Sequence, residues 1–587
     1  MSAPPDDPKL SFARGLFFGD IAEEAVFPFP DGLDDDARET LSLLMDPLDK
    51  FLEQRVDSAK IDHDAALPPS LLKELKDMGL FGLQIPAEYD GLDLSNTGYA
   101  RLFERVAQTD PSIAVTLGAH QSIGLKGLLL FGNDAQKARY LPRLASGDLV
   151  AAFCLTEPSS GSDAASLRAR AILSADGQHY LLNGSKIWIT NGGIADFFTV
   201  FCQTEVDVDG EKKDRISAFI VERSFGGIRN GKEERKLGIK GSSTTEIFLE
   251  DCRVPATNML GAPGDGLKIA LTILNNGRFG LAAGCVGGMK RLISLAASHA
   301  NERRQFGRTL REFGLIKEKF ARMNVALYAA ESMTYMTCGL MDTAKVDCSI
   351  EAAIAKVFSS EAMWLVSNEC LQVMGGLGYM KEYPFERFVR DARINMIFEG
   401  TNEILRLFIA LSGIQQPGDH LRDLARAIQD PLQNYGMLLD ELVDRVKTRV
   451  QGEQVDRAHP RLKRSVVHLE DKVVAFGHAV DGLLRHFGRD IIEQQLLLAR
   501  VANMAIDLYG MVAVLSRAST ALDSQTDHAE HQATLASIFC EEADRRLRRN
   551  LRALEMGPKN GDRELTKVAD DLLSAGHYLP SHPTKVE

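Results

Sequence analysis

The eight cysteines of this 587-residue chain (Cys154, Cys202, Cys252, Cys285, Cys338, Cys348, Cys370, Cys540) are scattered, with no CxxC pair and no ladder of short spacings. That absence argues against a disulfide framework or a zinc ribbon and for a reducing compartment. Basic charge is also short. Lys and Arg number 68 against 81 Asp and Glu, a net −13, which leaves no overall basic field to grip nucleic acid. No uninterrupted run approaches the roughly 20 apolar residues that span a bilayer, which predicts a soluble or peripheral protein. The opening MSAPPDDPKLSFARGLFFGD sets Asp6, Asp7 and Asp20 against Lys9 and Arg14. It has neither a signal-peptide apolar core nor an Arg-rich, acid-poor presequence, so a targeting signal is either already removed or invisible.

What is present is enough chain for three or four packed units. Residues 1–35 hold PPDDPK and FPFP and read as an extended arm across a larger surface. From 36 to 149 apolar residues recur at three- and four-residue spacing, as in LLKELKDMGLFGLQIP, so this part is helical. Between 150 and 262 the texture changes to short β-branched and aromatic runs (AAFCLTEP, HYLLNGSKIWITNG, FFTVFCQTE, RISAFIVER, TTEIFLEDCRVP) separated by turn residues, which predicts a compact, mostly antiparallel β unit. The helical period returns over 263–415. IQQPGDH (414–420) reads as a linker, and 416–587 as a further helical unit.

Three familiar motifs fail. GGIRNGKE (226–233) almost spells a phosphate-binding loop, but Glu233 replaces the required hydroxyl and no helix is expected to follow. No GxGxxG follows a predicted strand, so a nicotinamide site is unsupported. His528 and His531, in DHAEHQ, lack the HExxH pattern and suit a solvated helix face better than a metal site.

Four other segments form an unusual set. CLTEPSSGSDAAS (154–166) ends a predicted strand and offers the Thr156 and Ser162 hydroxyls beside Gly161; it is either a ligand-binding loop or a polar turn. In KIWITNGG (186–193), Trp188 is either a core filler or a shield over one face of a planar ring, with Thr190 as a polar contact. ERRQFG (302–307) sets Arg303 and Arg304 beside Phe306, a combination that suits either solvent or a pyrophosphate joined to an adenine. In the stretch 372–404, Gln372, Gly375 and Gly376 mark a close backbone approach, and Glu399 lies between Ile397-Phe398 and Gly400-Thr401. A carboxylate beside an apolar cluster is pushed toward neutrality and suits a general base; the competing reading is an acid favoured at a helix start.

In this order and spacing the four segments resemble the acyl-CoA dehydrogenase flavoenzyme family over about residues 40–415. The added tail, with EFGLIKEKFARM and FEGTNEILRLFIALSGIQ, resembles the very-long-chain branch, and SMTYMTCGLMD with DCSIEAAIAKVFSSEA is similar to its ninth-member subgroup. The resemblance implies an α+β, mostly α fold: an N-terminal helical domain, a central β domain, a C-terminal four-helix bundle and an extra C-terminal helical domain. It implies FAD as cofactor, held by Phe153, Cys154, Leu155, Thr156 and Ser162, by Trp188, Ile189 and Thr190, by Gln372, Gly375 and Gly376, and by Thr401, Asn402 and Glu403. Arg303 and Phe306 would reach the FAD of a neighbouring subunit, so a homodimer is implied. Ser162, Asn275, Arg278 and Gly400 match substrate-side positions, and Glu399 the catalytic base. Two departures stand out: Gly314, where shorter-chain members carry a flavin-contacting Gln, and Glu403, where many relatives have Gln.

The implied reaction converts a long-chain acyl-CoA to its trans-2-enoyl-CoA in fatty acid β-oxidation and passes electrons to an electron-transfer flavoprotein. The implied location is mitochondrial, on the matrix side of the inner membrane. Gly118, Gly124 and Gly127 in TLGAHQSIGLKGLLLFG either deepen an acyl pocket or allow close helix packing. In 421–450, Leu438, Leu439, Leu442, Val443 and Val446 form an apolar stripe, which fits either an anionic membrane surface or packing within the protein. A non-catalytic role in assembling respiratory complex I, implied by the ninth-member likeness, is the competing function.

Overall fold

The computed structural model describes residues 11–343, 346–429 and 454–584. The order helical, β, helical, helical is as expected, and the elements share cores rather than forming beads. Helix Asn96–Thr109, capped by the Ser95 hydroxyl accepting from the Gly98 N–H, packs along the 37-residue helix Gly266–Glu302. A Cβ at Gly287 would stand 2.2 Å from the Glu104 carbonyl oxygen, so only glycine lets the two axes close to this distance. Helices Gly266–Glu302, Gly314–Thr343, Ser349–Met374 and Asn402–Gln429 make the bundle that carries the site.

The central sheet runs in the order β6-β7-β3-β2-β4-β5-β8, with β1 also on β4. Its strands are β1 Ala151–Cys154, β2 Arg170–Leu173, β3 His179–Thr190, β4 Phe197–Val208, β5 Glu211–Glu222, β6 Ile228–Glu233, β7 Thr244–Pro255 and β8 Met259–Leu260. The pairing is antiparallel except that β1 and β2 lie parallel to β4, one after the other along the same edge. Where β1 leaves that edge and before β2 takes it up, the chain makes the loop 155–169. The phosphate-loop look-alike at 226–233 falls largely on strand β6.

Three expectations need correction. Over its described residues, 11–35, the arm is not extended: Phe12–Leu16 and Glu23–Val26 are short helices, and Phe12, Phe17, Val26 and Phe27 are buried in the core shared with the C-terminal unit. Five prolines in residues 1–35 could not outweigh that much aromatic surface to bury. The linker at 414–420 is instead helical, because Asn402–Gln429 runs unbroken through Pro417. The additional helices Lys463–Phe487, Gln495–Asp523 and Ala529–Met556 then pack back, and Met333, Ile354, Leu405, Leu508 and Met511 belong to one core. Three segments, Pro111–Phe131, Gly266–Glu302 and Gln495–Asp523, are long and apolar enough to cross a membrane, but most of each is buried inside the protein. Among the glycines of 118–127, Gly118 and Gly124 sit in close packing. A Cβ on Gly124 would lie 2.6 Å from the Ala119 carbonyl oxygen and 2.8 Å from the Ala151 Cβ, and one on Gly118 3.1 Å from the Phe103 ring. The stripe from 438 to 446 lies outside the described residues.

Candidate active site

Glu399 sits on the turn that feeds helix Asn402–Gln429, in a left-handed conformation (φ 55°) followed by Gly400 at φ 92°. Two buried cations hold this turn. Arg278 points its Nε at the Glu399 carbonyl oxygen (3.4 Å) and donates to Asn275 Oδ1 (2.7 Å), while Lys356 Nζ donates to the Gly400 carbonyl (2.8 Å) and to Asn402 Oδ1 (2.9 Å). The Glu399 Oε2 atom is buried with no hydrogen-bond partner among the described residues. Burial pushes its pKa above the usual carboxylate range, and the charges of Lys356 and Arg278 oppose that rise. Burial also lowers Lys356 to about 8 and Arg278 to about 10. The phenol of Tyr99 is pushed up by its burial and by the Glu399 charge. A desolvated carboxylate that lacks a partner but has cations within reach is a base waiting for a proton donor.

The second part of the site is made by the sheet. Between Lys186 and Ile189 the register of β3 on β7 slips by one residue, a bulge that turns Trp188 outward (64% exposed, φ 54°) instead of into the core. The freed Ile187 N–H donates to the Thr156 carbonyl (3.0 Å), which brings the loop after β1 beside Trp188 and Thr190. That loop is anchored underneath: fully buried Lys186 donates to Glu157 Oε1 (2.7 Å) and to the carbonyls of Phe201 (2.6 Å) and Leu155 (3.3 Å), left by the strand split. Glu157 in turn accepts from the Arg168 and Ala169 N–H groups. A third part projects from the bundle. Arg303 leads into the hairpin Arg304–Gln305 / Arg308–Thr309, whose tip holds Phe306 (93% exposed, φ 51°). Exposed Gln372, Gly375 and Gly376 end helix Ser349–Met374, with nothing within 4 Å of a Cβ at either glycine.

Of the residues expected to touch a ligand, Trp188, Ser162, Arg303, Phe306, Gln372, Gly375, Gly376 and Glu403 are exposed, and Phe153, Thr156, Thr190, Asn275, Thr401 and Gly400 are half-buried. Cys154, Leu155 and Ile189 are buried, so their contribution is through the backbone. The Asn402 amide is committed to Lys356, Ser360 and Glu361, and Arg278 to the Glu399 turn, so both side chains brace that turn. Gly314 opens its helix with free space around it. Sequence reasoning missed Lys356, Tyr99 and the Lys186–Glu157 pair. A lysine inside the apolar helical run AAIAKVF was the available signal for the first.

An outward-turned indole beside a hydroxyl-bearing loop, an open glycine pair, an exposed Arg and Phe, and a buried carboxylate fit a flavin dinucleotide beside an acidic C–H bond. This is the site of a flavin-dependent dehydrogenase. Comparison with known proteins agrees. Residues 38–148, 152–252 and 264–413 match the N-terminal, middle and C-terminal domains of acyl-CoA dehydrogenase, and 460–578 match the ACAD9/ACADV C-terminal domain. The chain is 47% identical to the very long-chain specific acyl-CoA dehydrogenase, mitochondrial, of Rattus norvegicus, over 98% of this chain and 89% of that protein. The Bos taurus protein of the same name is 48% identical over the same shares. The Bacillus anthracis acyl-CoA dehydrogenase solved with FAD superposes with a TM-score of 0.79 at 33% identity, covering 97% of this chain and 96% of that one. A chain from the Acidaminococcus fermentans electron transferring flavoprotein structure gives a TM-score of 0.60 at 35% identity, over 65% of this chain and 99% of that one.

The chain belongs to the acyl-CoA dehydrogenase family, in its very-long-chain branch. It is an FAD-dependent oxidoreductase acting on CH–CH bonds of acyl-CoA. The mitochondrial placement implied by the sequence agrees with the names of these relatives.

Proposed function

We propose that the chain dehydrogenates long and very long acyl-CoA thioesters to trans-2-enoyl-CoA in β-oxidation, with Glu399 as base, and delivers the electrons to an electron-transfer flavoprotein. The unpartnered, desolvated Glu399 carboxylate carries this reading. A thioester α-proton is too weakly acidic for a solvated carboxylate, so the protein must both strengthen the base and stabilise enolate charge. Burial does the first, and the Glu399 backbone N–H is the protein's donor for the second. Bound FAD supplies the acceptor for the β-hydride. An acyl chain entering the site displaces water, which weakens the solvation of Glu399 further and strengthens it as a base. Trp188, Thr156 and Thr190 would hold the flavin ring, and Gln372, Gly375 and Gly376 would leave room for the dinucleotide.

The hairpin with Arg303 and Phe306, whose tip ring stays 93% exposed with only an edge contact to Phe313 of the same chain among the described residues, supports a homodimer in which each copy completes the other's dinucleotide site. A peripheral contact of the 421–450 segment with the inner membrane belongs to the same reading. The second reading, an assembly factor for respiratory complex I, draws on the match of 460–578 to a domain that the very-long-chain enzyme shares with the ninth member.

Anaerobic titration of the purified holoprotein with palmitoyl-CoA separates the two. Bleaching of the oxidised-flavin band in the wild type but not in Glu399→Gln supports the dehydrogenase and its base. Bound flavin that fails to bleach with any chain length moves the assembly reading forward.

A further inference from the structure

The turn carrying the base is strained, and one side chain with no assigned part in the reaction holds it. Lys356 comes from the middle of helix Ser349–Met374, is fully buried, and ends between the turn and the bundle. Its ammonium has three donors. One reaches the Gly400 carbonyl at 2.8 Å and another Asn402 Oδ1 at 2.9 Å. Asn402 is itself locked: its Nδ2 donates to Ser360 Oγ (3.0 Å) and Glu361 Oε1 (3.1 Å), and Glu361 holds a two-pronged pair with Arg406 (2.8 and 2.9 Å). The clamp is therefore one end of a rigid polar chain inside the bundle rather than a loose surface contact. A left-handed residue without a glycine's freedom is strained and persists only where its surroundings over-determine it.

We propose that Lys356 is the positioning residue of this site: by clamping the Gly400 carbonyl it holds Glu399 in its left-handed conformation, and its positive charge stabilises the ionised carboxylate. This rests on the dehydrogenase reading for its kinetic consequence and on geometry alone for its structural one. The groups that share the electrostatic environment of Lys356 include Glu399 on the turn, Glu403 at the start of helix Asn402–Gln429, Arg278 and Cys285 on helix Gly266–Glu302, and Glu361 on its own helix; Tyr99 faces Glu399 from helix Asn96–Thr109. Among them only Arg278 is a second cation, so loss of Lys356 leaves the carboxylate with one.

The sign follows. Burial already disfavours the Glu399 anion, and Lys356 opposes that effect. Removing the Lys356 charge disfavours the anion further, so the carboxylate holds its proton to higher pH. The acidic limb of kcat/KM, which requires the ionised base in free enzyme, moves upward.

The test uses holoenzyme of Lys356→Met and of Lys356→Gln, the latter keeping a donor for Gly400 without the charge. In Lys356→Met we expect kcat with palmitoyl-CoA to fall about 10²-fold, the loss that a misplacement near 1 Å produces, with KM little changed. Both variants shift the acidic limb upward, and Lys356→Gln keeps more of kcat. A crystal structure of Lys356→Met shows Gly400 rotated and Glu399 out of the left-handed region. An unchanged turn in that structure, or an acidic limb that stays in place in Lys356→Gln, overturns the proposal. If Lys356→Met does not fold, the Lys356→Gln limb decides. If the wild type itself never bleaches, the dehydrogenase reading fails, and the Glu399 turn in the variant structures still decides the clamp.

Discussion

Replacing Lys186 by Met should be among the most destabilising single changes in the β domain, and the split edge of the sheet explains why. The side chain is fully buried and its ammonium satisfies three acceptors at once: Glu157 Oε1, the Phe201 carbonyl and the Leu155 carbonyl. Methionine fills nearly the same volume, so packing is largely conserved and the loss is electrostatic. Glu157 keeps two backbone donors, Arg168 and Ala169, but loses its only ion-pair partner among the described residues in a site where it is 4% exposed. Breaking a buried pair by removing one partner costs about 3–5 kcal/mol, because the remaining charge stays desolvated. The two orphaned carbonyls add to this at about 1 kcal/mol or more each, less whatever water relieves. A drop of about 3–5 kcal/mol in urea unfolding of the holoprotein is expected, together with faster flavin loss, since the anchored loop lines the Trp188 face. In a double-mutant cycle, adding Glu157→Gln should recover part of the loss. A change below about 1 kcal/mol with flavin retention intact would refute the reasoning.

Trp188→Ala should leave the unfolding midpoint within about 0.5 kcal/mol of wild type, as expected for an exposed side chain, while the flavin absorption band shifts and turnover falls; a destabilised variant with an unaltered spectrum would return Trp188 to the core-filler reading. Gly124→Ala should cost about 1–3 kcal/mol through contact with Ala119 and Ala151, with the acyl-chain-length profile unchanged in the surviving enzyme; a shortened profile would revive the pocket reading. Glu331, buried between Lys290 and Arg517 (2.7 Å), is held down to about 2 against the ordinary 4.5 because these two cations outweigh its burial. A depressed carboxylate contributes stability above its unfolded value that is lost as pH falls through its folded one. Melting temperature should therefore decline between about pH 4.5 and 2, more steeply than in Glu331→Gln, and parallel profiles would remove this pair from the junction of the bundle with the C-terminal helices.

The order of units was legible because hydrophobic periodicity changes abruptly at Val150 and again after Gly266. The junctions were less so. A proline such as Pro417 normally argues for a break, yet the helix runs through it where Ile409, Ala410 and Ile414 on the preceding turns are buried against the C-terminal unit. The aromatic content of the arm carried more weight than its prolines. At the site, exposed roles for Trp188, Arg303, Phe306 and the glycine pair could be read from residue type and motif order. The inward roles of Asn402, Arg278 and Lys356 could not, because each depends on which neighbour lies within 3.5 Å across the bundle, and no local spacing encodes that.

One physical feature joins the parts that sequence pattern describes least well. Trp188, Phe306 and Glu399 all occupy left-handed backbone at φ 51–55°, where bulky residues are disfavoured by about 1–2 kcal/mol each. Each comes from a different element and is held by a different device. Trp188 rides a bulge whose extra N–H is taken by Thr156, Phe306 tips a hairpin closed by the Arg304–Thr309 pairing, and Glu399 stands on a turn clamped by Lys356 and Arg278. In all three the conformation turns a large side chain away from where strand alternation or helix continuation would send it. Local propensity would choose glycine or asparagine at such positions. That the chain keeps an indole, a phenyl ring and a carboxylate there, each with its own support, fits the ligand site proposed above, and loss of the clamp on the Glu399 turn should be felt first in base strength.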